Sequence, residues 1–156
     1  MQTIPTPTPD EVRDDEPTET VEDALVALHR RSVDNVAGFA AMVSRAEPDF
    51  RDVAQRFHDL HQRHVGTLAQ MLRDRGLHPD SDGSFMATVN RVMVSIRSLF
   101  DDIDADVMRQ IHNGEAWTLD AFDSAIAALR GAPEVARLHE MRAELTELLA
   151  RSPDPA

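Results

Sequence analysis

The sequence predicts an all-α protein, an antiparallel bundle of long helices. Three observations carry that reading. Apolar residues recur at steps of three and four along most of the chain, and no stretch alternates with the period of two of a half-buried strand. Turn formers interrupt this pattern at "RAEPDF", "LHPDSDGS", "DDIDAD" and "RGAP". The 156 residues suffice to bury a core without staples, and with no cysteine present neither a disulfide framework nor thiol chemistry is available.

Residues 1–20 are acidic and spaced by Pro and Thr, with little to bury, so they read as a disordered tail; residues 21–151 form the bundle. The first helix runs from about Val21 to Ser44, with Thr20 as N-cap and Asp23 in a weak capping box. Leu25, Leu28, Ser32, Val36, Phe39 and Val43 line one of its faces. Pro48 suits the first turn of a second helix, which ends near Arg75 with Gly76 just beyond it. A third, shorter and strongly apolar helix is predicted over 84–100. A fourth reaches about Arg130, and Pro133 opens a fifth that reaches about Ala150. The second, fourth and first helices are each about 25 residues, roughly 35–40 Å long. Short links between long helices imply antiparallel neighbours. The longer passage between the second and fourth helices, carrying its own short helix, fits the crossover of a ferritin-type four-helix bundle.

The formal charge is −12, and all sixteen basic residues are arginines. Nucleic acid and anionic membrane both need clustered positive charge, so neither is an expected partner. No apolar run is long enough to span a bilayer, and the N-terminus lacks a basic start and an apolar segment, which makes the cytoplasm the expected location.

The stretch "FHDLHQRHVGTLAQML" holds three of the seven histidines. At 100° per residue, His61 and His64 fall within about 40° of the apolar face set by Val53, Phe57, Leu60, Leu68, Met71 and Leu72, whereas His58 lies at its edge. On the fourth helix Glu115 sits amid Met108, Ile111, Phe122, Ile126 and Leu129, with His112 nearer the rim and Trp117 outside the stripe. Arg142 intrudes on the Leu138, Met141, Leu145 and Leu149 stripe of the fifth helix, while Glu140, Glu144 and Glu147 turn away. Ser32 and Asn35 lie on or beside the core face of the first. His29, His78 and His139 are isolated and read as surface residues.

Buried carboxylates and imidazoles need partners. Two readings follow. In one, His61, His64, Glu115, Arg142, Asn35 and Ser32 form a buried polar network with Arg142 paired to Glu115. In the other, His61, His64 and Glu115 hold one iron, manganese or zinc ion, since two histidines and a carboxylate suffice with positions left open.

The segments "DNVAGFAAM", "LHQRHVGTLAQML", "NGEAWTLDAF" and "APEVARLHEMRAEL" resemble a family of bacterial ferritin-like four-helix bundles, over most of residues 21–150. The resemblance implies a ferritin-like fold of unassigned activity, associated with stress. A di-iron centre of that class wants a Glu from each of two helices and a Glu-x-x-His from each of the others. Here His61-x-x-His64 stands for one such motif, Glu115 is the lone carboxylate, and the first and fifth helices supply none, so a standard di-iron centre is not expected. The leading expectation is a non-enzymatic bundle acting by binding or self-assembly, as a homodimer if the apolar third helix needs cover. The alternative is a degenerate metalloprotein using His61, His64 and Glu115.

Overall fold

A computed structural model describes residues 20–79 and 107–153, together with positions 87, 90, 91 and 94. Four helices make up the regular structure of these residues: α1 (Val21–Arg45), α2 (Pro48–Asp74), α3 (Met108–Ala128) and α4 (Val135–Arg151). No strand occurs among the described residues. The predicted helix over 84–100 lies largely outside them; the four described positions within it are helical.

The helix ends follow local chemistry. Thr20 is extended, and its hydroxyl accepts from the Asp23 N–H at 3.1 Å, satisfying one of the orphan donors of the first turn of α1. Pro48 stands at the first position of α2, where its missing N–H removes nothing the helix uses. Gly76 and Gly131 follow α2 and α3 with φ of 77° and 87°, left-handed backbone that side chains with a Cβ resist.

Side-chain pairs fix the arrangement. Phe39 of α1 stacks on Phe57 of α2, and α2 returns antiparallel after a two-residue link. Arg31 reaches Gly114 and Thr118, while Met42 and Gln110 share a cleft further along, so α3 runs antiparallel to α1. Arg142–Asp123 and His112–Ser152 set α4 antiparallel to α3, and Arg75–Glu134 with Arg63–Glu144 set it antiparallel to α2. The ring order is therefore α1, α2, α4, α3, with every neighbour antiparallel. It follows that α2 and α3 run in the same direction.

The core fills the centre of this ring. Leu25, Leu28, Phe57, Leu68, Phe122, Leu138, Met141 and Leu145 are among its fully buried side chains. Most belong to the apolar stripes the sequence predicts. No described helix is long and apolar enough to cross a membrane.

Candidate functional site

Halfway along the bundle the apolar core gives way to polar groups. His61 and His64 are sealed at 0 % exposure, Glu115 is 2 % exposed, and Thr118 and Ser32 are buried as well. The α2 periodicity that buries Phe57, Leu60 and Leu68 also buries the two histidines. Their rings continue an aromatic column. Phe39 stacks on Phe57 at 5.0 Å and on His61 at 5.6 Å, His61 meets His64 edge-on at 6.3 Å, and His64 meets Phe122 edge-on at 5.8 Å.

His61 Nε2 lies 2.7 Å from Glu115 Oε1, a short contact that requires one proton between them. That bond uses only half of each group. His61 Nδ1 and Glu115 Oε2 are buried without a hydrogen-bond partner, as are both nitrogens of His64. His64 Nε2 is 3.8 Å from Glu144 Oε2, near enough for charge to be felt but too far for a hydrogen bond. Burial, reinforced by His61, Arg137 and Arg63 nearby, pushes the His64 pKa down from 6.5 to about 3. The ring is therefore neutral at physiological pH.

Glu115 also forms part of the wall of a cleft of about 140 Å³ between α1 and α3. Asp34, Asn35, Gly38 and Phe39 face it from one helix, and Gln110 and Gly114 from the other. Gly38 and Gly114 are helix-interior glycines, each weakening its helix by roughly 1 kcal/mol relative to alanine. Neither is forced by packing, because a Cβ at either position would meet nothing within 4 Å. Above the cleft Arg31 donates to the Gly114 carbonyl at 2.8 Å and to Thr118 Oγ1 at 3.4 Å, and Asn35 Nδ2 donates to the same hydroxyl at 2.8 Å.

The six residues of the expected polar network therefore divide. His61 and Glu115 meet directly. His64 touches His61 only ring edge to face, and its nitrogens join neither partner. Asn35 turns to Thr118, and Ser32 donates to the Leu28 carbonyl of its own helix at 2.9 Å. Arg142 corrects the sequence expectation, for its guanidinium donates to Asp123 at 2.7 and 3.2 Å and not to Glu115. The residue lies next to Met141 at the edge of the α4 stripe, and Asp123 lies next to Phe122 at the facing edge of α3. The pair closes over the seam instead of entering it.

Among the described residues no group of three or more His, Asp or Glu side chains is placed to hold a metal ion. His61, His64 and Glu115 do not converge on one point, because the His61 nitrogen that faces Glu115 is already bonded to it. Of the buried core-side residues of α1 and α4, Ser32, Val36, Met141 and Leu145 carry neither a carboxylate nor an imidazole.

Other histidines sort by face. His58 is partly exposed and packs with Gln55 against Asp59, whose carboxyl is held below its ordinary range by Gln55 first and then by His58. His112 shares a proton-bearing contact of 2.7 Å with the Ser152 carbonyl and ties α3 to the end of α4. His78 and His139 are exposed. His29 is the second correction, being 8 % exposed, since it neighbours Leu25, Leu28 and Ser32 on the core side of α1. Glu144 is the third: half-exposed, it bends back between Arg137 and Arg63 to cover His64.

Sequence reasoning missed Thr118 and Arg31. The signal for Thr118 was present, three residues beyond Glu115 on the same face of α3. Arg31 gave none, for its backbone position is on the rim and only the length of its side chain brings it over Gly114.

A family model described as a domain of unknown function, DUF2383, matches residues 20–128. No curated protein and no solved structure matched the chain. The matched span runs from the N-cap of α1 to the end of α3, so it contains His61, His64, Glu115 and both walls of the cleft. On that match, over more than half its length, the chain belongs to the DUF2383 family.

Proposed function

We propose that this protein is a non-enzymatic ferritin-like bundle that acts by binding, with the cleft between α1 and α3 as its site. The observation that carries the reading is Glu115, a buried carboxylate with one oxygen on His61 and the other without a protein partner beside an open cleft. A buried carboxylate oxygen left in that state is costly, so an occupant of the cleft that turns this carboxylate towards itself and donates to it would be favoured. The ferritin-like assignment is supported by two antiparallel hairpins, α1–α2 and α3–α4, set so that α2 and α3 are parallel, as they are in that class. A cytoplasmic location is part of this proposal, and so is a homodimer. The apolar segment 84–100 that suggests the dimer lies mainly outside the described residues, and light scattering at micromolar concentration decides the point.

A second reading is favoured by the two unpartnered nitrogens of His64 and by His61 Nδ1. Imidazole nitrogens in that condition are potential ligands, and a modest rotation of His64 would assemble a mononuclear site for iron, manganese or zinc. One preparation separates the two readings. Untagged protein purified without chelator is examined by native mass spectrometry and elemental analysis, beside Gly114→Leu and His61→Ala/His64→Ala variants. A small-molecule adduct that disappears in Gly114→Leu supports the cleft. Stoichiometric metal that disappears in the double-histidine variant replaces it with the metalloprotein. A cleft that carries no adduct, in wild type as in Gly114→Leu, overturns the binding site.

A further inference from the structure

A homodimer needs a surface on each copy, and the described residues offer one on α3. We propose, resting on the homodimer reading just given, that a second copy docks antiparallel on the solvent face of α3, with Trp117 of each protomer packed against the other.

Trp117 is the chain's only tryptophan and is 69 % exposed. The helical period accounts for its direction, since Glu115, Thr118 and Phe122 turn the core face of α3 inward and position 117 points away. The bundle gives the indole nothing in return: among the described residues it has neither a ring contact nor a hydrogen bond. A tryptophan so placed leaves a large apolar area in water, and it is a residue type in which interface binding energy concentrates.

Its neighbours select the partner. Arg109, Asn113, Trp117, Asp120 and Ser124 follow at steps of three and four and are all exposed, so they share one face. Level with Glu115, that face reverses on itself. Asn113 stands as far before this point as Trp117 stands after it, and Arg109 and Asp120 stand at nearly equal distances further out. A two-fold axis placed there sets Trp117 opposite Asn113 of the second copy and Asp120 opposite its Arg109, and each contact occurs twice. The indole N–H needs an acceptor once covered, and the Asn113 side chain brings an amide oxygen. Arg109 already has a contact within its own chain, but a guanidinium carries five N–H donors and keeps its charge. Two chains of formal charge −12 repel at a distance, so association depends on such local pairs of opposite sign. A parallel copy would set Arg109 against Arg109 and Asp120 against Asp120. An anionic lipid surface would want a cluster of basic residues beside the indole, where this face carries one arginine and one aspartate.

With one tryptophan and no tyrosine, the long-wavelength fluorescence of the full chain reports this site alone. On dilution through the micromolar range, wild-type emission should shift to the red at the concentrations where light scattering shows the dimer dissociate. Trp117→Ala should weaken the dimer by at least about tenfold in sedimentation, yet melt as the wild-type monomer does, because so exposed a ring supports little of the fold. Asp120→Arg should weaken it several-fold by setting two arginines together, and Arg109→Asp in the same chain should restore most of that loss. Undiminished affinity in Trp117→Ala overturns this interface and leaves the dimer to another surface. So does emission that ignores dissociation, or a charge reversal that the second reversal does not repair. A wild-type monomer at every concentration removes the homodimer reading along with the interface.

Discussion

His61 and His64 stand three residues apart on one face of α2, both closed off from solvent, yet their surroundings treat them in opposite ways. His61 has a buried carboxylate on Nε2, a stacked phenylalanine on its face and a cleft behind its partner. His64 has aromatic edges around it, no hydrogen bond, and positive charge from Arg63 and Arg137 on the solvent side. The α2–α4 cleft near that second histidine is larger, about 350 Å³, but its ions answer one another: Arg63 reaches Glu144 and Arg151 pairs with Glu147. On the α1–α3 side the ionisable groups among the described lining residues are acidic, with no arginine among them to balance the charge. Burial alone does not make a site. What distinguishes the Glu115 side is polar capacity left over after the fold has been satisfied.

Removing a partner on each side should therefore shift stability in opposite directions. The largest effect belongs to Glu115→Ala, which leaves His61 with no partner on either nitrogen and opens a hole beside Phe39. A loss of about 3 kcal/mol is expected, seen as a lowered urea midpoint with an unchanged slope. Glu115→Gln keeps an acceptor for the His61 N–H and should lose much less. Equal losses in the two variants would mean that the 2.7 Å contact contributes nothing specific.

His64→Leu should instead raise stability at pH 7, by about 1 kcal/mol, because it replaces two unsatisfied buried nitrogens with carbon of similar volume. The same variant isolates a pH dependence. The unfolded chain protonates this ring near 6.5, whereas the folded protein does so only near 3. Between those values unfolding takes up a proton, so stability falls as pH is lowered from 6.5 towards 3, by about 1.4 kcal/mol per unit. Above 6.5 the ring is neutral in both states and the dependence vanishes. Denaturation curves of wild type and His64→Leu from pH 4.5 to 7.5 should therefore diverge only below about 6.5. Parallel curves would show that the folded ring finds a proton acceptor, with Glu144 the nearest candidate.

Thr118→Val is the next smaller change. Its hydroxyl accepts from Asn35 and Arg31 and pins the upper rim of the cleft, and the isosteric valine leaves two part-buried donors that water can reach. A loss of about 1 kcal/mol is expected. If the cleft depends on this rim, hydrogen exchange along 31–38 should speed up while α2 is unaffected.

What was legible in the sequence follows from how far each signal reaches. The α2 stripe was readable because a 3.6-residue period fixes which backbone positions face inward, and it buried His61 and His64 together with Phe57 and Leu68. The same period placed Glu115 inward and Trp117 outward, where it is 69 % exposed. The caps at Thr20, Pro48 and Gly76 were readable because their chemistry is local. Partner choice was not. Whether Glu115 meets Arg142 or His61 depends on how two helices rotate and slide against a third, and no periodicity within one helix encodes that. Long side chains add to the difficulty: Arg31 and Glu144 start from partly exposed positions and reach groups on neighbouring helices. The cleft between Gly38 and Gly114 arises only when α1 and α3 are side by side.

Arg142→Ala is the smallest expected change and the one that best sharpens the contrast. The guanidinium meets Asp123 in a two-pronged contact, with both side chains about a third or more exposed. Such a pair is solvated, screened by salt and entropically expensive to hold, so its removal should lower stability by no more than about 0.5 kcal/mol, and less at high salt. Had the same arginine entered the core to neutralise Glu115, its loss would strand a buried carboxylate at about 3 kcal/mol or more. The two placements therefore differ several-fold in a quantity that one denaturation curve measures. A double-mutant cycle between positions 142 and 115 completes the test: with Arg142 on Asp123 the losses add, and any coupling above about 0.5 kcal/mol returns the arginine to the polar core.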